Sequence, residues 1–378
     1  MSDRLVAALL AAVPAVVLFL FLWVESEAAV AVVLVASAAA VVAATRGSFS
    51  ATIARAVASS ERTMDAVAVA AIAAVALAFH DDDFSLFLLC RGLIAFVACL
   101  GLTVQFGYAG VVNFAGASFF GVGAYTAAAL ARLGAVPHIL GVILGGVVAA
   151  LGGLLLALPL LRTRGHYAAL ITIAFALLFR TFLEVNDALG GPQGMKLPGF
   201  RILGWDFNEP VTVGSFEAAS FLNYFAFALL LAVLAFGLVR RLERSWIGLS
   251  LDAVRLDETA ASCFGLQVAR WKIAGFTIGN FIIGVAGAFS AHMVGFIAPN
   301  NYAFGESLVF VSILLLGGLG NAWGVALATA IVVMLPEKLQ LIQEYRYLLY
   351  ASLVILILLF RPVGLLPRPL RRWLGQPA

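Results

Sequence analysis

Two stretches limit this chain more than anything else in it. Residues 139–161 and 218–239 run for 23 and 22 positions without a charged side chain. In hydrocarbon every backbone N–H and C=O must find its partner inside the chain, so spanning segments are helices or closed barrels. A barrel strand would alternate apolar and polar residues over about ten positions. These runs are continuous instead, and they have the roughly twenty residues a helix needs to cross a bilayer. Composition extends the point to the whole chain. Of its 378 residues, 63% are hydrophobic and 11% are charged, against roughly 25% charged in a soluble domain, and the mean hydropathy is +1.06. A soluble enzyme, a disordered protein and a secreted disulfide scaffold are excluded. The expected fold class is all-α, a polytopic integral membrane protein embedded in a lipid bilayer.

Charges punctuate the apolar runs, and the expected spans lie between them. They cover about 6–24, 28–44, 65–79, 86–106, 115–133, 138–161, 166–184, 219–239, 273–296, 305–318, 321–336 and 345–360. Several are short or glycine-rich, so the expectation is about 10–12 transmembrane helices, including short or broken ones. The first is followed at once by another apolar run and lacks a small-residue cleavage pattern, so it reads as a span, not a removable signal. Arg46, Arg55, Arg62, Arg162, Arg164, six basic residues between Arg240 and Lys272, and Arg361, Arg368, Arg371 and Arg372 then fall on one side with Arg4. Glu25, Glu27, Asp81, Asp82, Asp83, Asp187, Asp206, Glu209 and Glu217 fall on the other. Basic loops stay inside, so both termini are expected in the cytoplasm. Residues 1–83, rich in Ala and Val, read as accessory helices. Residues 84–366 read as the core, with a cytoplasmic loop at 240–272 and an external loop at 186–217. Residues 367–378 read as a basic tail.

Little in the chain suits covalent chemistry. It has no phosphate-binding G-x-x-x-x-G-K-S/T loop, so no ATP site of that kind is its own. Cys90, Cys99 and Cys263 form no CxxC pair, and His80, His138, His166 and His292 are scattered, so no metal or cofactor is assigned. Arg91, Arg132, Arg180 and Glu306 sit near span ends, where long side chains reach back to the interface. An ion-coupled secondary transporter would place carboxylates at mid-membrane, and this alternative is disfavoured.

The most informative membrane segment is GYAGVVNFAGASFFGVGAY, residues 107–125. Its candidate residues are Tyr108, Asn113, Phe114, Gly116, Ser118 and Tyr125. Small residues let helices approach closely, and an Asn among apolar groups needs a hydrogen-bond partner. Two readings stand: a tight helix crossing, or a broken helix lining a polar path. The 317–324 run GGLGNAWG reads as a tight turn between short spans. The 240–272 segment mixes apolar and charged residues irregularly, and suits a surface helix or a docking site equally.

Residues 107–125 resemble the signature of permease subunits of branched-chain amino-acid ABC importers. The match is carried further by YAALITIAF at 167–175, by Gly190-Gly191-Pro192-Gln193-Gly194, and by AVRLDETAA at 253–261 running on to Gly265. GFIAP at 295–299 and LLGGLGNAWG at 315–324 complete it, all in order over about residues 86–366. The resemblance implies an ABC importer permease fold in a bacterial inner membrane. It implies two cytoplasmic ATPase subunits, a second homologous permease and an external solute-binding protein as partners, and no nucleic acid. It further implies that Arg255, Glu258, Ala260, Ala261 and Gly265 belong to a coupling loop seated in the ATPase, with Glu258 facing a basic residue there. Gly190, Gly191 and Gly194 would shape the external loop. Asn113, Ala115 and Gly116 stand where the family usually has Ser, Gly and His, and Leu189 where Thr is common. Related urea and amide importers are the alternative for substrate.

Overall fold

The computed structural model describes residues 3–24, 61–134, 136–163, 166–202, 204–213, 216–338, 345, 348, 351, 352, 355, 359, 364–366 and 368. The expected span at 28–44, most of that at 345–360, Glu25, Glu27 and the arginines at 46, 55, 164, 361, 371 and 372 lie outside them. Among the described residues five helices are long and apolar enough to cross a membrane: Asp83–Tyr108, His138–Leu161, Tyr167–Val185, Phe221–Arg244 and Val268–Val294. The chain is a multi-pass, predominantly helical membrane protein.

It divides into two compact units, residues 1–90 with 210–229, and residues 91–209 with 230–378. In the first, α1 (Asp3–Trp23) packs along α2 (Glu61–Ala78). Phe19 stacks on Trp23 and meets Phe79 at 5.4 Å between ring centroids. The start of α3 (Asp83–Leu102) is set by Asp82, whose carboxylate accepts from Phe84 N (3.0 Å) and Ser85 Oγ (2.5 Å). Such caps satisfy N–H groups that a helix start leaves open.

The second unit is built on α4 (Gly116–Leu133), α5 (His138–Leu161) and α10 (Val268–Val294), which pack on one another. In α5 the residues at every fourth position are small and buried: Gly141, Gly145, Ala149, Gly153 and Ala157. Its large side chains, among them Ile143, Leu144, Val147, Leu151, Leu155 and Leu158, are exposed on the other face. This inverts the soluble pattern because lipid is as apolar as leucine, and helix association rests on close backbone packing. Gly123 of α4 and Gly284 of α10 meet backbone to backbone, with Gly284 also pressed on Ala149 of α5.

The remaining helices of this unit are α6 (His166–Val185), the latter part of α7 (Phe221–Arg244), α8 (Trp246–Leu256), α9 (Glu258–Cys263), α11 (Phe304–Gly317), α12 (Ala322–Thr329) and α13 (Leu335–Lys338). At 14 residues α11 is about 21 Å long, short of a roughly 30 Å hydrocarbon core. It reverses into α12 through a turn at Gly318 (φ +104°) and Gly320 (φ +87°), with Asn321 capping α12. Arg91 in α3 pairs with Glu337 of α13, 246 positions away.

The 186–217 loop adds structure that the helical expectation did not include. Two two-stranded antiparallel ladders form within it, β2 (Arg201–Ile202) with β3 (Trp205–Asp206) and β4 (Val211–Val213) with β5 (Phe216–Ala218), and its β1 (Met195–Lys196) pairs antiparallel with β6 (Phe296–Ile297), which follows α10.

Candidate functional site

Past Leu102 the α3 helix widens into a π-helix, Thr103–Tyr108, and then stops. The wider turn shows in Ala109 N donating to Val104 O at 3.0 Å. Single π turns inside helices recur at functional sites. Residues 109–115 are not helical, and α4 begins at Gly116. Gly110 has φ +65°, a left-handed conformation natural to glycine.

Inside this break lies a buried cluster of amides. Asn113 Nδ2 donates to Gln105 Oε1 at 2.8 Å and to Asn280 Oδ1 at 3.3 Å. Gln105 Nε2 donates to Asn280 Oδ1 at 2.9 Å and to Phe276 O at 3.0 Å. Asn113 Oδ1 accepts from Ala115 N at 2.9 Å, which closes a turn just before α4. All three amides are fully buried. The cluster carries donors and acceptors but no net charge, and one donor, Asn280 Nδ2, is buried with no hydrogen-bond partner.

The other candidates lie around it. Phe114 N donates to Thr172 Oγ1 of α6 at 3.1 Å, and Ala117 N to Ser307 Oγ of α11 at 3.0 Å. Gly116 is buried against Leu102 and Phe310. Ser118 is buried with no partner for its hydroxyl. Tyr108 is buried with no hydrogen-bond partner for its own hydroxyl. Tyr125 stands two turns further along α4 in a different cluster, with Phe179, Leu183, Met195, Ile297 and Tyr302. It meets the Tyr302 ring edge-on at 5.7 Å. The structure thus brings Asn113, Phe114, Gly116 and Ser118 to the break and leaves Tyr125 apart.

Gln105, Asn280 and Thr172 were missed as site residues in the sequence. Each was visible there as an uncharged polar residue inside an apolar run, and the run around Asn280 showed nothing else to single it out.

In the 186–217 loop, Gly190 (φ +88°), Gly191 (φ +52°) and Gly194 (φ +73°) form consecutive turns. Gly190 abuts the Gly194 carbonyl, and Gly194 abuts that of Ile297, which brings β1 onto β6. Arg201 pairs with Asp206 at 2.7 Å. The Asn208 backbone N–H, and after it Arg201, hold the Asp206 carboxyl below its ordinary range.

Of the segment expected as a loop at 240–272, the first residues end α7 and the last begin α10, and α8 and α9 lie between them. Ser245 caps α8, and Asp257 Oδ1 caps α9 by accepting from Thr259 N (2.9 Å) and Ala260 N (3.0 Å). Ala261 is buried; Glu258, Ala260 and Gly265 are exposed, and Phe264 is 89% exposed. Gly265 has φ +82°. Glu258 Oε1 is bound within the chain by Lys272 Nζ at 2.5 Å. Arg255 lies along Gly110, so α8 touches the break directly. Removing the α9 cap by Asp257→Ala is expected to cost about 1 kcal/mol, near a fivefold rise in amide exchange across 258–263. Exchange unchanged from wild type would show that Asp257 holds nothing there.

The family profile described as branched-chain amino acid transport system permease component matches residues 84–359. That range holds the break, the amide cluster and α8–α9. The chain belongs to this permease family. It is 33% identical over 312 residues to the high-affinity branched-chain amino acid transport system permease protein LivM of Salmonella typhimurium, covering 78% of this chain and 73% of that one. It is likewise 33% identical to LivM of Escherichia coli over 291 residues, 73% and 68% of the two chains. To the permease protein LivH of Escherichia coli it is 27% identical over 293 residues, 71% and 90% of the two. No solved structure is a significant match. The chain is therefore a transport-system permease component.

Proposed function

We propose that this chain is the membrane-spanning subunit of an ATP-driven importer that carries branched-chain or other hydrophobic amino acids into the cell. The observation that carries the proposal is the placing of α8 against Gly110 at a break lined by Gln105, Asn113 and Asn280. An uncharged amide cluster can trade its internal hydrogen bonds for bonds to a polar solute, and a two-state element at that point is what alternating access needs. The substrate class is supported by the names of the LivM and LivH relatives. Two cytoplasmic ATPases meeting α8–α9, a second homologous permease and an external binding protein complete the assembly. In this reading 240–272 and both termini face the cytoplasm, and 186–217 meets the binding protein.

The test is uptake of labelled leucine and of labelled urea by vesicles holding the whole importer, with and without the ATPases. Leucine uptake that needs ATP and both ATPases is expected. Urea uptake in its place would reassign the substrate, and uptake driven by an ion gradient alone would overturn the proposal.

Glu258→Lys tests the docking role. It sets a cation beside Lys272 and reverses an exposed charge, and a loss of about 1–2 kcal/mol, roughly tenfold, in ATPase co-purification is expected. Membrane insertion should not change. Co-purification equal to wild type would remove Glu258 from the contact.

A further inference from the structure

Arg368 sits far from the break in sequence but beside it in space. The chain reaches it along α11: Leu365 N donates to Leu316 O at 2.7 Å and Leu366 N to Gly317 O at 3.2 Å. Its guanidinium is then used on every side. Nη1 and Nη2 hold the two carboxylate oxygens of Asp252, on α8, at 2.8 and 2.9 Å. Nε donates to Glu243 of α7 at 3.1 Å. The face of the group lies 4.4 Å from the Tyr108 ring centroid, at the last residue of the π-helix. The side chain is 8% exposed, with Asp252 at 18% and Glu243 at 11%. Its Cδ packs on Gly320, whose backbone abuts Gly107.

We propose that Arg368 is the positioning residue that ties α8 to the end of the π-helix, so that a displacement of α8 is delivered to the break at 109–115. The proposal rests on the reading that α8–α9 receive the ATPases. The geometry suits rigid transmission. A planar guanidinium bound in a fork to one carboxylate cannot turn or slide without breaking two charge-assisted hydrogen bonds. Burial keeps water from replacing them at low cost. Arg255 on Gly110, and Leu251 near Ala109 where both border Gly275, give α8 its second hold on the same turn. Asp252 is the link: it receives the fork from Arg368, and Arg255 Nε lies 3.7 Å from it. Lysine at 368 would keep the charge and lose the fork.

The experiment uses the whole importer in vesicles, with leucine uptake and ATP hydrolysis measured on the same sample. For Arg368→Ala the ATPases should still co-purify, and the uptake per ATP should fall roughly tenfold, within the 5–150-fold span of coupling free energies. Arg368→Lys should fall between the alanine variant and wild type. A merely structural role would lower uptake and hydrolysis together and leave their ratio alone. A ratio within about twofold of wild type in both the Ala and Lys variants would overturn the proposal. If the alanine variant does not reach the membrane, the lysine variant decides by the same ratio. If the wild-type chain itself fails to co-purify with the ATPases, the docking reading falls, and the proposal with it.

Discussion

Gly123→Ala is expected to remove most of the folded permease from the membrane, while Gly237→Ala leaves its level unchanged or slightly raised. The two changes add the same methyl group to a helix, where alanine is favoured over glycine by about 1 kcal/mol. At Gly237, exposed on α7, nothing lies within 4 Å of the new carbon. At Gly123 the new carbon would fall on the Gly284 carbonyl, which is backbone and cannot change rotamer. Gly284 cannot retreat, because Ala149 and Gly145 of α5 stand behind it. Overpacking costs about 1–3 kcal/mol where side chains can yield; here three helices would have to separate. Thermal melting of the detergent-solubilised protein, followed by size-exclusion chromatography, measures the effect. A Gly123→Ala midpoint within about 2 °C of wild type would mean that the crossing is looser than the structure shows.

Asn113→Ala is expected to cost about 2–4 kcal/mol and to reduce leucine uptake by at least roughly tenfold per permease inserted, since it strands two buried groups at about 1–3 kcal/mol each. The Gln105 side-chain carbonyl loses its donor, and Ala115 N–H loses its acceptor. Measured hydrogen bonds between membrane helices run lower, near 0.6–2 kcal/mol, which places the total toward the lower end. Asn113→Asp should be worse than alanine. It keeps the acceptor for Ala115 N–H but turns a second acceptor toward the Gln105 acceptor and buries a charge. Asn113→Ser keeps a hydroxyl that can accept from Ala115 N–H and should retain more uptake than alanine. Uptake by Asn113→Ala equal to wild type would remove the amide cluster from the transport path, whatever its part in stability.

Two kinds of residue show how far the sequence could be read. The α5 run was legible as a span from its lack of charge alone. Which face of it turned inward was also written there, in small residues at every fourth position. The break after Leu102 was legible as one of two readings, because Gly107, Gly110 and Gly116 permit both a close crossing and a stop. The structure contains both: the helix stops at 109–115, and the crossing follows two turns into α4 at Gly123. Gln105 was hidden by its own neighbours, as one polar residue in a helix that otherwise suits lipid. The partners of Glu258 and Arg368 were not legible, since an ion pair between positions 14 or 116 apart depends on where turns place the ends.

By itself the sequence determined the solvent and therefore the elements. Uncharged runs of more than twenty residues must be helices in hydrocarbon, and the glycines and alanines among them set which helices can touch. Only the tertiary structure decided which polar groups share a site. Gln105, Asn113 and Asn280 meet because a π turn rotates the end of α3 toward α10, and Tyr108, Asp252 and Arg368 meet because the chain returns along α11. A hydrogen bond is decided within a few tenths of an ångström, and that precision comes from packed helices, not from any residue's spacing along the chain.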